Sequence, residues 1–168
     1  MIIWIIGKSG TGKTTVGKLL LKKLKKKYKN TVFLDGDQVR AVWGNSLGHS
    51  LRDREKNALY IFNLCKLLDR QKINVVCCIV SIFPKFQKLS RKSFKKFFLI
   101  HLKAPIHILK KRDKKKLYKK FYSKKIKNVV GLDIPFPKPY KPDLTISSYG
   151  KTSPKKIQRR IINKIFNA

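Results

Sequence analysis

Residues 2–14 read Ile2-Ile3-Trp4-Ile5-Ile6-Gly7-Lys8-Ser9-Gly10-Thr11-Gly12-Lys13-Thr14, a short apolar run that breaks into a glycine-rich turn. The run from Ile2 to Ile6 has no polar face, which predicts a strand covered on both sides. Gly7 to Thr14 fit G-x-x-x-x-G-K-[ST], and helix-forming sequence follows directly. Strand, turn and helix in that order build a phosphate cradle. Glycines let successive backbone N–H groups point into one concave nest, and the helix N-terminus adds partial positive charge. Lys13 is placed to reach the β- and γ-phosphates, and the Thr14 hydroxyl to ligate Mg²⁺. The candidate ATP contacts are Gly7, Lys8, Ser9, Gly10, Thr11, Gly12, Lys13, Thr14 and Thr15.

Outward from this turn, apolar runs alternate with amphipathic ones. A helix is expected from about Thr14 to Tyr28, with Val16, Leu19, Leu20 and Leu24 facing inward. Strands are expected at 31–35, 74–82, 97–102 and 143–147. The most apolar of them, 74–82, is expected to be central. Helices are expected at 53–72, where Ala58, Ile61, Phe62, Cys65 and Leu68 share one stripe, and at 86–95, 105–122 and 153–166. The segment from Gly131 to Pro142 carries four prolines and reads as a loop. Alternating strands and helices imply right-handed crossovers. The expected architecture is therefore a three-layer α/β/α P-loop NTPase fold with a mainly parallel sheet and a basic helical lid. The 168 residues suit one domain, 1–168, with the lid at about 110–133.

Lys and Arg number 42 against 8 Asp and Glu, a formal charge of +34. Such an excess attracts phosphates and polyanions without specifying any of them. No RNP, KH or zinc-finger pattern is present, so the lysine runs read as solvated helix faces and no specific nucleic-acid partner is expected. Cys65, Cys77 and Cys78 lack a C-x-x-C spacing, and adjacent strand residues point to opposite faces, so buried free thiols are expected. The longest apolar stretch is strand-sized, and Ile2–Ile6 is too short for a signal peptide. The expectation is a cytoplasmic protein with no membrane partner.

The phosphate loop specifies a nucleoside triphosphate but not the reaction. Short length, the carboxylate pair Asp35 and Asp37 at a strand end, and the absence of N-K-x-D point to a kinase. A basic segment at 110–120 suits a lid that steadies charge on a transferring phosphoryl group.

Several segments together resemble the adenylylsulfate (APS) kinase family. Its G-L-S-G-S-G-K-[ST]-T is similar to Gly7–Thr15, and its L-D-G-D-x-[IV]-R to Leu34–Arg40. L-G-F-S-x-x-D-R-x-x-N resembles Leu47–Asn57, and S-P-[FY] resembles Ser81-Ile82-Phe83. The family's R-D-x-K-G-L-Y-K-K, I-K-N-F-T-G-[IV]-D and P-x-x-P-D-L resemble Arg112–Lys120, Ile126–Asp133 and Pro139–Leu144. The resemblance implies MgATP-dependent phosphorylation of the 3′-hydroxyl of adenosine 5′-phosphosulfate. Asp37 would be general base or hydroxyl-orienting group, with Lys13 and Ser81 beside it. Asp35 and Asp37 would hold Mg²⁺ through water. Arg40, Arg54 and Asn57 would grip the acceptor, with His49, Ser81, Lys115, Asn128 and Val129 lining its site and Arg112 and Lys119 in the lid. The implied partners are ATP and an anionic nucleotide-type acceptor, and a homodimer is an allowed assembly.

The chain departs from the family where the base is held. Two phenylalanines that sandwich adenine there correspond here to His49 and Val129, and valine cannot stack. Lys116 replaces the lid glycine, and Ile82 the proline after Ser81. The leading expectation is APS as acceptor. The alternative is the same chemistry on another nucleotide conjugate, such as cytidine diphosphoramidate, where a smaller pyrimidine tolerates a missing ring. A non-enzymatic nucleic-acid-binding protein is a further alternative resting on charge alone.

Overall fold

A computed structural model describes residues 1–167. The apolar run at the start of the chain is β1 (Ile2–Ile6), and every one of its residues is buried. It lies in the middle of a five-stranded sheet with β2 (Thr31–Asp35), β3 (Asn74–Ile79), β4 (Phe97–Lys103) and β5 (Leu144–Ser147), ordered β2-β3-β1-β4-β5. All four pairings are parallel, and Ile2 stands opposite both Val75 and Phe97. The strand expected over 74–82 is therefore an inner strand, not the middle one, and it ends at Ile79.

Helices cover both faces, which is why β1 and β3 carry no polar alternation. On one face, α1 (Lys13–Lys25) and the C-terminal helix, α7 (Pro154–Phe166), close over Ile3, Ile5, Cys78 and Ile100. Gly17 lets α1 approach closely: a Cβ there would stand 2.4 Å from Cys78 Sγ and 2.8 Å from the Phe33 ring. On the other face, α3 (Leu51–Arg70) and α4 (Pro84–Ser93) pack over Trp4, Ile6, Cys77 and Leu99. Cys77 and Cys78 thus serve opposite cores, and with Cys65 they are free and buried. No helix among the described residues is long and apolar enough to cross a membrane.

Two local departures from expectation have clear causes. The stretch read as a helix over 105–122 is two short helices, α5 (Ile106–Lys111) and α6 (Leu117–Tyr122). Between them Lys116 takes a left-handed φ of 53°, and the Asp113 carboxylate accepts from the N–H groups of Leu117 at 2.7 Å and Lys119 at 3.0 Å. Asp113 thereby starts a fresh helix. The other departure is α2 (Gly36–Val42), which sequence patterning did not announce. Asp35 caps it by accepting from the Asp37 N–H at 3.0 Å. The carboxyl ends of β1, β2 and β3 open onto one cleft.

Candidate active site

The cleft encloses about 1360 Å³ and is walled by the turn after β1, the ends of β2 and β3, α3 and the segment carrying α5 and α6. Gly7 sits where only glycine fits, because a Cβ would stand 2.3 Å from the Leu102 carbonyl. Gly12 holds a left-handed φ of 83° at the entry to α1, so the turn delivers its N–H groups at that helix's N-terminus.

Lys13 Nζ donates to the Lys8 carbonyl at 2.9 Å, which arches the side chain back over the turn. Burial pushes its ammonium down to about 8, against the opposing pull of Cys78, Asp37 and Asp35. Lys13 forms no ion pair among the described residues, and phosphate oxygens would give it one. Beside it, the Thr14 hydroxyl donates to Asp35 Oδ2 at 2.8 Å. A hydroxyl with two nearby carboxylates is a hard-oxygen set that fits Mg²⁺, which takes few protein ligands and completes its shell with water and phosphate. Among the described residues no cluster of three His, Cys, Asp or Glu could hold a metal without such help.

Asp37 forms an ion pair with Lys115 of the lid. Both side chains are about two-thirds exposed (64% and 65%), so the pair contributes at most about 1 kcal/mol and does not lock the carboxylate. Burial works to raise the Asp37 carboxyl, but Lys115, Lys13 and Arg40 outweigh it and hold it below its ordinary range. The group is therefore ionised across neutral pH and able to accept from an incoming hydroxyl.

Arg40 donates to the Gly48 carbonyl. Arg54 donates from Nε to the His49 carbonyl at 3.0 Å and from Nη2 to the Asn128 carbonyl at 2.7 Å. Burial, reinforced by Arg40 and Arg54, lowers the His49 imidazole, which favours its neutral form. Asn57 is buried, with Oδ1 unpartnered. Ser81 is buried just beyond β3, and its hydroxyl accepts from Gln87 Nε2 at 3.1 Å. That leaves the Ser81 O–H free to donate into the cleft.

The residues expected from the sequence gather here with two exceptions. Ser9 to Thr15, Asp35, Asp37, Arg40, His49, Arg54, Asn57 and Ser81 line the cleft, together with Arg112, Lys115, Lys119, Asn128 and Val129. Gly7 lies behind it, and Lys8 contributes only its carbonyl, its side chain lying over Gly131. Val129 lines the cleft but is 1% exposed and packs with Leu109 and Tyr118 in the lid's own core. Two further residues escaped sequence reading. Gln87 orients Ser81, and Tyr118 ties the lid to the phosphate loop by donating to the Ser9 carbonyl at 2.9 Å. Tyr118 stands inside the lid motif, so its segment was visible; Gln87 belongs to no local pattern.

A family model described as adenylylsulphate kinase matches residues 1–147. The chain is 39% identical over 167 residues to a cytidine diphosphoramidate kinase of Campylobacter jejuni, covering 98% of this chain and 95% of the relative. It is 36% identical over 155 residues to an adenylyl-sulfate kinase of Clostridium acetobutylicum, covering 92% and 78%. Among solved structures, the Mycobacterium tuberculosis APS kinase CysC in complex with AMPPNP and APS superposes with a TM-score of 0.88 at 28% identity, over 98% of this chain and 96% of that one.

Proposed function

The chain belongs to the adenylylsulphate kinase family, and on that premise we propose that it moves the γ-phosphoryl group of MgATP onto a hydroxyl of a cytidine diphosphate conjugate. One observation carries the choice of acceptor. Where the family it resembles presents a phenylalanine to adenine, Val129 is folded into the lid core at 1% exposure and offers no ring face. The opposite wall is His49, held neutral and able to stack one base. A pyrimidine with one stacked face suits this pair, and the similarity to a cytidine diphosphoramidate kinase along nearly the whole chain supports it.

The residues fit in-line transfer. The acceptor hydroxyl oxygen forms a bond to the γ-phosphorus while the bond from that phosphorus to the β,γ-bridging oxygen breaks, leaving ADP. Asp37 receives the hydrogen bond, and then the proton, of the attacking hydroxyl. Lys13, the turn's N–H groups and the lid cations Arg112 and Lys119 face the charge that spreads over the phosphoryl oxygens. Thr14, Asp35 and Asp37 would hold Mg²⁺, which neutralises phosphate charge when bound. Ser81, with one lone pair engaged by Gln87, donates to an acceptor oxygen.

Phosphorylation of APS at its 3′-hydroxyl is the second reading, favoured by the gathering of Arg40, Arg54, Asn57 and Ser81 on one side of the cleft. An ADP-release assay with cytidine diphosphoramidate and APS as rival acceptors decides between them. The expected result is the higher kcat/KM with the cytidine conjugate. Preference for APS overturns the acceptor, and no ADP with any nucleotide conjugate overturns the reaction.

A further inference from the structure

Lys8 belongs to the phosphate loop, yet its side chain leaves the cleft. Its stem crosses Gly131 so closely that a Cβ there would stand 2.8 Å from Lys8 Cδ. Beyond that crossing it enters a second cavity of about 430 Å³, formed by the end of β4 and the proline-rich loop before β5. This cavity shares only Thr11 with the catalytic cleft.

Its walls have two characters. The His101 imidazole and the Phe136 ring stack at 5.6 Å and 15°, and Pro137 and Pro139 extend that apolar surface. Lys8, Lys103 and Lys138 line the same space, and no Asp or Glu does. None of the three lysines enters an ion pair among the described residues. Burial lowers the His101 imidazole, and Lys103 and then Lys8 push it further in the same direction, so both ammoniums act on the ring without a carboxylate to answer them. In so basic a chain a lysine beside a cavity is ordinary. A phosphate-loop lysine that converges with others on a stacked ring pair, with no counter-charge, calls for an anion.

We propose that this cavity is a second ligand site, taking a phosphate monoester carried on a planar ring. The ring lies along the apolar wall and the phosphate among the lysines. The volume falls in the range of small-molecule pockets, about 300–1,000 Å³. The site is wired to catalysis. The Lys8 carbonyl accepts from Lys13 Nζ at 2.9 Å and from Thr11 Oγ1 at 2.9 Å. An anion that draws the Lys8 side chain outward acts on the turn that positions Lys13, so its binding and that of ATP are linked reciprocally.

Phenyl phosphate is the probe, titrated calorimetrically into the full chain with saturating MgADP so that the phosphate loop is filled. It is also titrated into Arg54→Ala, so that binding at the acceptor end of the cleft shows as a loss that the second cavity would not suffer. Saturable single-site binding is expected. Replacing Lys103→Gln and Lys138→Gln together should weaken it at least about tenfold, and inorganic phosphate should bind at least about tenfold less tightly than phenyl phosphate. Both lysines are solvent-exposed, so the double variant should keep its thermal unfolding midpoint and its turnover without the probe. The site is overturned if MgADP abolishes binding, if the double variant binds as tightly as the parent, or if inorganic phosphate matches phenyl phosphate. The outcome does not depend on which acceptor the kinase uses.

Discussion

Arg54 on α3 donates to the carbonyl of Asn128, 74 residues further along the chain, at 2.7 Å. Its Nε meanwhile holds the His49 carbonyl at 3.0 Å. One guanidinium thus bridges the backbones of the His49 and Asn128 segments, both of which line the cleft. The Asn128 side is fixed in turn by Asp133, whose carboxylate accepts from the N–H groups of Asn128 at 2.6 Å and Val129 at 2.5 Å. A planar fork can serve two carbonyls at once; an ammonium on a flexible stem cannot hold both in register.

Arg54→Ala should therefore raise KM for the acceptor by roughly tenfold or more, about the worth of one charged hydrogen bond, while KM for ATP changes less than about twofold. Arg54→Lys should recover little of the loss. Steady-state kinetics with each substrate varied in turn read the split. Equal changes in both constants would mean that Arg54 supports the whole lid and not the acceptor slot.

Lys13 sets a pH dependence for ATP binding. Its ammonium lies at about 8 in the ligand-free protein, and phosphate oxygens favour the charged form, so ATP raises it. Binding then takes up a proton above about pH 8, and affinity should fall by up to roughly tenfold per pH unit there. Calorimetry in buffers of different ionisation enthalpy measures the uptake directly. The folded value also lies below the ordinary 10.5, so the unfolded chain binds more protons between the two. This group's contribution to stability consequently rises with pH across that window. Lys13→Ala should remove both effects and abolish turnover with the fold intact.

Asp37→Asn keeps the shape of the side chain and removes its charge and basicity. Turnover should fall by roughly 10²–10⁴-fold, with ATP affinity little changed. Lys115→Met, which removes only the exposed partner of Asp37, should cost far less. Single-turnover rates at saturating ATP compare the two. A loss of under about fivefold in Asp37→Asn would shift the proton-accepting role to Asp35.

The sheet and its cradle were legible because their signals are local. Ile2–Ile6 shows its two-sided burial as an unbroken apolar run, and Gly7–Thr14 carries its turn in fixed spacing. The gathering of Arg40, Arg54, Asn57 and Ser81 on one cleft was legible only through resemblance, since they are scattered along the chain and nothing in their neighbours announces convergence. The split of α5 from α6 was hidden because lysine-rich sequence favours helix throughout, and one carboxylate, Asp113, decides the break. The outward turn of Lys8 was equally hidden. It depends on Gly131, more than a hundred residues away, leaving room for the lysine's stem.

The +34 charge should act on nucleic acid only through phosphates. Any RNA binding should weaken by roughly 10³-fold or more between about 50 and 200 mM salt and show no sequence preference. Filter binding with unrelated RNA sequences across that salt range measures both. Tight, sequence-selective binding at physiological salt would contradict the reading of the lysine runs as solvated helix faces.

The acceptor's base is best tested at Val129. The residue packs with Leu109 and Tyr118, both of which are at most 1% exposed, so there is no spare volume in the lid core for a phenyl ring. In Val129→Phe the ring either strains that core, at about 1–3 kcal/mol of stability, or turns into the cleft. Once in the cleft, it stands opposite His49 and narrows the slot. KM for a cytidine conjugate should then rise, because the pocket no longer closes on a small base with one stacked face. APS should bind more tightly, since a second stacked face is worth about 1–3 kcal/mol per base. Thermal unfolding with kinetics on both acceptors separates the outcomes. A lower unfolding midpoint with both KM values unchanged would place the new ring in the core and show that residue 129 does not touch the base, and the argument for a pyrimidine acceptor would lose its main support.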